Sequence, residues 1–141
     1  MMNTKDDFAD VKIAFPAKIK NLVVKQHIAV KEALKQMGLG SEKILFVIDD
    51  SFKLVGTLSD GDIRRWILKE GNLKNSIKEI YNKVPITVSR EHDISSAKQI
   101  MIDEKIEALP VVDENRHLVD VLIWSEIFSN DLKPKKETLN A

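Results

Sequence analysis

The residues best suited to chemistry stand close together. Ser59, Asp60 and Asp62 follow the apolar run Leu54-Val55-Gly56-Thr57-Leu58 and precede Ile63-Arg64-Arg65. An apolar run of strand length that ends in serine and continues with acidic residues marks a strand-to-helix junction. The first amides of a helix have no acceptor within it, so those amides and the Ser59 hydroxyl can meet phosphate or sugar oxygens. Asp62 can accept hydrogen bonds from two vicinal hydroxyls, as an acidic residue does for ribose in dinucleotide-binding folds. Gly56 puts no side chain in the way of a ligand approaching the strand backbone. The spacing Ser59-x-x-Asp62 equally resembles a capping box with Ser59 as N-cap. The two roles can coexist at a helix start.

Little else in the chain has catalytic or metal-binding spacing. His27, His92 and His117 are far apart, and none has a ligand-type partner at i+3 or i+4. Cysteine is absent, which removes disulfides, thiolate zinc sites and cysteine nucleophiles. Asp60 and Asp62 lack a second acidic cluster to complete a metal or acid–base site. The phosphate-binding loop Gly-x-x-x-x-Gly-Lys-Ser/Thr, the Gly-x-Ser-x-Gly elbow and a glycine-rich nucleotidyltransferase loop are all missing. Lys+Arg 22 balance Asp+Glu 22, which excludes the basic footprint of a general nucleic-acid binder. The aromatic fraction of 6% is too low for a base-stacking surface. Hydrophobic residues at 43% and charged residues at 31% fit a globular domain. No apolar run approaches the ~18 residues of a membrane span. The polar start, Met1 to Asp7, carries no signal-peptide pattern, so a cytoplasmic protein with neither membrane nor nucleic acid as partner is expected.

The elements that position these residues recur. With Asp49 set on Asp113, the two halves align without a gap: Val24 on Val88, Ala33 on Ala97, Met37 on Met101, Leu45 on Leu109, Val47 on Val111, Leu54-Val55 on Leu118-Val119, Leu58 on Leu122 and Ile63 on Ile127. The matches are mostly apolar, so a core pattern is what repeats. Two copies fit a duplicated supersecondary unit, because a solenoid needs about three. Each copy reads β-α-β-β-α. Leu22 to Val24 and Ile86 to Val88 are short strands. Val30, Ala33, Leu34 and Met37 share one helical face, as do Ile94, Ala97, Ile100 and Met101, with Asp93 as an N-cap. Asp49-Asp50-Ser51 and Asp113-Glu114-Asn115 are turns between strands. Asp60 to Lys69 and Trp124 to Ser129 are closing helices. The expected fold is α+β, with two such units packed sheet to sheet around a pseudo-two-fold axis. The divisions are an N-terminal extension (1–17), repeat 1 (18–70), a polar linker (71–83) that includes a capping-box pattern at Ser76-x-x-Glu79, repeat 2 (84–130) and a charged C-terminal linker (131–141). The extension is expected to hold a short helix.

These repeats, with Leu54-Val55-Gly56-Thr57-Leu58-Ser59-Asp60-Gly61-Asp62 in the first and Ala108-Leu109-Pro110-Val111-Val112-Asp113 in the second, resemble a tandem pair of CBS (cystathionine β-synthase) domains. The resemblance covers residues 18–129. The stretch Ser59 to Arg65 and the second-repeat ending Val121 to Glu126 are further similar to CBS pairs fused ahead of sugar-phosphate nucleotidyltransferases. A C-terminal nucleotidyltransferase domain would then follow the last linker. The resemblance implies an adenosine-containing ligand (AMP, ADP, ATP or S-adenosylmethionine) between the repeats, a disc-shaped homodimer of pairs and no catalytic cofactor.

The family's ribose pattern, glycine, two residues, threonine or serine, two residues, aspartate, is complete as Gly56, Ser59 and Asp62, with Asp60 inside it. The resemblance sets the base against Val84, Pro85 and Ile86 and against Ile106 and Ala108, and a phosphate near Lys43. Ile86 and Ile106 read equally well as core, a lone lysine such as Lys43 is more often a solvated charge, and Arg64 and Arg65 could reach phosphate or a partner subunit, with a solvated face the expectation for at least one of them. The second repeat replaces Gly56 by Asp120, Ser59 by Ile123 and Asp62 by Glu126, so one nucleotide site per pair is expected, Asp120 being set to repel a phosphate. The resulting expectation is a non-catalytic regulatory module. Its alternatives are a structural dimerisation module with a vestigial site and, with less support, a hydrolase using Asp60 and Asp62.

Overall fold

The shared apolar pattern folds into two copies of one small sheet. The structure, a computed structural model, describes residues 17–39 and 42–129. Repeat 1 contains β1 (Val23–Lys25), β2 (Ile44–Ile48) and β3 (Leu54–Ser59); repeat 2 contains β4 (Val88–Ser89), β5 (Ala108–Val112) and β6 (Leu118–Ile123). In each sheet the middle strand pairs parallel to the first and antiparallel to the last. The helices are α1 (Ala17–Lys20), α2 (Val30–Met37), α3 (Asp60–Leu68), α4 (Ile94–Glu104) and α5 (Trp124–Ile127). Among the described residues no helix is long and apolar enough to cross a membrane. The proposed helix in residues 1–16 and the linker 131–141 lie outside the described residues.

Three apolar clusters form, and the alternation of the middle strands explains them. Phe46 and Ile48 of β2 point into a central layer with Leu22, Val23, Phe52 and Leu54 from repeat 1 and Ala108, Val112, Leu118, Val121 and Ile123 from repeat 2. Leu45 and Val47 point the other way, onto Val30, Ala33, Met37, Leu58 and Ile63. Leu109 packs with Ala97 and Met101. A strand covered on both sides needs an unbroken apolar run rather than alternation with polar residues. Ile44-Leu45-Phe46-Val47-Ile48 and Ala108-Leu109-Pro110-Val111-Val112 are such runs.

The polar segment between the repeats belongs to this packing. Ile77 is fully buried and Tyr81 nearly so, both within the cluster under α2 and α3. The carbonyls of Asn75 and Leu73 accept the N–H groups of Val30 and Lys31 at 2.8 and 2.9 Å. These bonds serve a helix whose N-cap residue, Ala29, has no side-chain acceptor. The Ser76-x-x-Glu79 pattern resolves into a single 3₁₀ turn, Ile77–Glu79, in which Ser76 accepts from the Lys78 amide. A reciprocal box does not form there because the turn is too short.

The hairpin turns repeat as well. Asp49 Oδ1 accepts the Ser51 and Lys53 amides at 2.8 and 3.0 Å; Asp113 Oδ1 accepts those of Asn115 and His117 at 2.9 and 2.8 Å. Phe52 and Arg116 take the same left-handed conformation, with φ of 66° and 73°. The two turns meet: Lys53 bridges His117, and the Leu54 amide donates to the Arg116 carbonyl at 2.9 Å. Partial burial pushes the Asp113 carboxyl upward, but the His117 and Asn115 amides and the His117 ring outweigh it and hold it below its ordinary value of 3.8.

Two outcomes check this account. Phe46→Ala empties the central layer and should lower stability by roughly 3–5 kcal/mol in urea unfolding, with both repeats melting in one transition. Asp113 ionises more readily folded than unfolded, so its stabilisation is complete above its ordinary value and is lost as pH falls through the lower folded one. Acid unfolding followed by circular dichroism should therefore be less steep below about pH 4 in Asp113→Asn.

Candidate functional site

The strand-to-helix junction forms as a complete capping box. Ser59 Oγ accepts the Asp62 N–H at 3.1 Å, and Asp62 Oδ2 accepts the Ser59 N–H at 2.9 Å. Asp62 Oδ1 receives Arg65 Nη2 at 2.6 Å, and Asp60 Oδ2 receives Arg64 Nη2 at 2.8 Å. The Asp62 side chain is 19% exposed, at the rim of the fold. The Asp60 N–H donates to the Lys43 carbonyl at 3.1 Å, which sets Lys43, with its side chain exposed, beside the same junction.

A register shift decides which way the junction faces. Ile48 pairs with Leu54 but Val47 pairs with Gly56, so Val55 has no residue opposite. Such an insertion reverses the alternation beyond it. Leu54 points into the central layer, whereas Leu58 packs under the helices. Thr57 and Ser59 consequently lie on the side facing repeat 2. The same shift occurs in repeat 2, where Val112 pairs with Leu118 and Val111 with Asp120. There the matching residues are Val121 and Ile123, 0% and 5% exposed within the central layer. Repeat 2 fills its half of the crevice with apolar side chains. Repeat 1 lines its half with two hydroxyl groups that are only partly buried.

Two expectations need correcting in their reasons. Gly56 does not open the strand to a ligand: a Cβ there would collide with the Tyr81 ring and the Asn82 carbonyl. The absent side chain admits the segment between the repeats. Asp120 matches Gly56 and so faces away from the crevice, where its Oδ1 accepts the Val121 amide at 2.8 Å. Ile123 and Val121, rather than the Asp120 charge, distinguish this face of repeat 2 from that of repeat 1.

The segment that Gly56 admits carries the apolar side of the site. Thr57 and Asn82 exchange backbone hydrogen bonds at 3.0 and 2.8 Å, and Asn82 Oδ1 accepts the Val84 amide at 3.1 Å. Val84 is 82% exposed, Ile86 is exposed and Pro85 is partly buried, an unusual run of accessible apolar surface. Ser59, Asp60, Asp62 and Lys43 gather at the C-terminal end of β3, Lys43 on its β2 side, while Asn82, two residues before Val84, pairs with Thr57 along the other edge of the strand. Ile106 and Ala108 are placed otherwise. Ile106, partly buried, packs against Ala97, Met101 and Leu109, whereas Ala108 is buried in the central layer and offers a ligand little surface. Thr57 and Asn82 are site-building residues that the motif does not contain. The signal for Thr57 was its polarity where repeat 2 has Val121.

The CBS domain family profile matches residues 17–69 and 77–132. The chain belongs to the CBS domain family. As a CBS pair it is 34% identical over 95 residues to arabinose 5-phosphate isomerase GutQ of Salmonella typhi, a match covering 67% of this chain and 29% of the isomerase. The Escherichia coli K12 isomerase is likewise 34% identical over 95 residues. The matched stretch thus spans less than a third of these two relatives, which are isomerases rather than nucleotidyltransferases. Among solved structures, the pair resembles Arabidopsis thaliana CBSX2 in complex with AMP, at TM-score 0.70 and 26% identity over 86% of this chain and 93% of that one. It also shares its fold with the CBS pair of MJ0100 in complex with 5′-methylthioadenosine and S-adenosyl-L-methionine, at TM-score 0.69 and 24% identity over 96% and 98%.

Ser59→Ala should cost about 1 kcal/mol through loss of the cap. Gly56→Ala should cost roughly 1–3 kcal/mol, because Tyr81 and the Asn82 backbone must both move. Thermal melting of the two variants measures both.

Proposed function

We propose that this CBS pair is a non-catalytic regulatory module that binds an adenine nucleotide, AMP, ADP or ATP, in the repeat-1 half of the crevice. The observation that carries the reading is the junction itself. A rim carboxylate and a hydroxyl stand together at a helix start, and the segment that pairs with the same strand through Asn82 carries exposed apolar residues. Asp62 would accept the ribose hydroxyls, Ser59 and the first amides of α3 would meet oxygen atoms of the ligand, and Lys43 would lie near phosphate. Val84, Pro85 and Ile86 would cover one face of the base, which has little else to shield it from water. The AMP complex of the similar CBSX2 supports this ligand class.

Occupancy would favour one relative arrangement of the repeats and so bias a catalytic domain, attached or associated. We place that domain among enzymes of sugar phosphates. The stretch Ser59–Arg65 favours a nucleotidyltransferase, and the relatives favour an isomerase. Two pairs would associate as a homodimer. A second reading, a scaffold that only dimerises, draws support from the filled crevice of repeat 2.

Titration calorimetry of the full chain with AMP, ADP and ATP tests the first reading. Heat and a rise in melting temperature of a few degrees at ligand well above Kd are expected with at least one nucleotide. Asp62→Ala should abolish both while sedimentation shows an unchanged oligomer. No response to any of the three at millimolar concentration would leave the scaffold reading. Release of phosphate with added magnesium would instead indicate a hydrolase.

A further inference from the structure

Asp62 is the group a ribose would need, and both of its oxygens are already held. Oδ2 closes the capping box, and Oδ1 takes Arg65 Nη2 at 2.6 Å. The Arg65 side chain is 66% exposed and that of Asp62 19%, so the pair lies at the surface, where such pairs are weak enough to exchange. Its guanidinium folds back over the first turn of α3. A Cβ on Gly61 would lie 3.4 Å from Arg65 Nη1 and 3.6 Å from Ser59 Oγ. Gly61 therefore leaves a small bare patch of backbone, with the guanidinium on one side and the serine hydroxyl on the other.

Resting on the nucleotide reading above, we infer that Arg65 is the specificity-determining residue of this site, latched on Asp62 when the site is empty and transferred to the ligand's phosphate when it is filled. The charges call for a cation beside the phosphate, and Lys43 is held at the junction only through its backbone carbonyl. Asp60 and Asp62 both stand in the first turn of α3, and a phosphate brought to them without a cation is repelled. Arg64 is engaged with Asp60. Arg65 pairs with the very carboxylate that the ribose must claim, so one binding event breaks the ion pair and supplies its replacement. A guanidinium suits this exchange, since its planar fork matches carboxylate and phosphate alike. An uncharged nucleoside would break the same pair and return nothing. The site should consequently select phosphorylated adenosine over adenosine. Repeat 2 has lost the device together with the crevice: Gly61, Asp62 and Arg65 are matched there by Ser125, Glu126 and Ser129, and the Ser129 hydroxyl donates to the Glu126 carbonyl at 2.8 Å.

The test is calorimetric titration of the full chain, Arg65→Gln, Arg65→Lys and Asp62→Asn with AMP and with adenosine. Wild type should prefer AMP by roughly tenfold or more, the scale of a charge-assisted contact. Arg65→Gln should lose that preference, with AMP weakened and adenosine unchanged or tightened because Asp62 is released. Arg65→Lys should keep part of it, and Asp62→Asn should weaken both ligands together. Equal weakening of AMP and adenosine in Arg65→Gln, or an unchanged ratio, overturns the role of Arg65 and leaves the nucleotide site standing. Failure of both ligands to bind wild type, or full binding by Asp62→Asn, overturns the nucleotide reading and the Arg65 role with it. Arg65→Gln keeps the Ser59–Asp62 box, and an unchanged melting temperature confirms that it folds.

Discussion

Two three-stranded sheets, each with its longer helices on one side, cannot leave their other faces in water, and they meet to form the central apolar layer. Phe46 and Ile48 from one middle strand share that layer with Ala108 and Val112 from the other. Hydrophobic burial is non-directional, so any pair of apolar faces could have met. The duplicated register and the meeting of the two hairpin turns bring these faces together in pseudo-two-fold fashion. Every feature of the candidate site inherits its position from this arrangement. The candidate site lies where repeat 1 interrupts the layer with Thr57 and Ser59.

Within that frame one extra residue in each last strand has large consequences. Val55 and Val119 stand without residues opposite, and beyond them the strand faces exchange. In repeat 2 the exchange delivers Val121 and Ile123 to the layer, which extends it. In repeat 1 it delivers Thr57 and Ser59, which interrupt it. A hydroxyl at the edge of an apolar layer adds little burial energy unless it finds a partner. Ser59 finds one in the Asp62 amide. The helix start is thus stabilised by the same atoms that the nucleotide reading employs, and capping and binding do not compete for different residues.

The segment between the repeats links the two sides of the site. Gly56 lets it approach β3, Ile77 and Tyr81 anchor it in the repeat-1 core, and Thr57 holds it by a pair of backbone hydrogen bonds. It then continues to the exposed Val84 and Ile86. This continuity gives a physical route by which a ligand touching both sides would couple one repeat to the other.

The sequence by itself determined the repeat, the order of elements and the strand-to-helix junction. Apolar periodicity and capping chemistry are local, and a constant offset between Asp49 and Asp113 carries both copies at once. It also marked the difference between the halves, since Ser59 facing Ile123 is visible in an alignment of the chain with itself. Only the tertiary structure decided why that difference matters. The face on which Thr57 and Ser59 emerge depends on strand pairing across β2, and the neighbour of Gly56 is a segment distant in the chain. The burial of Ala108 depends on a sheet contributed by the other repeat. Contacts of this kind are set by how apolar faces meet, and local spacing contains no term for them.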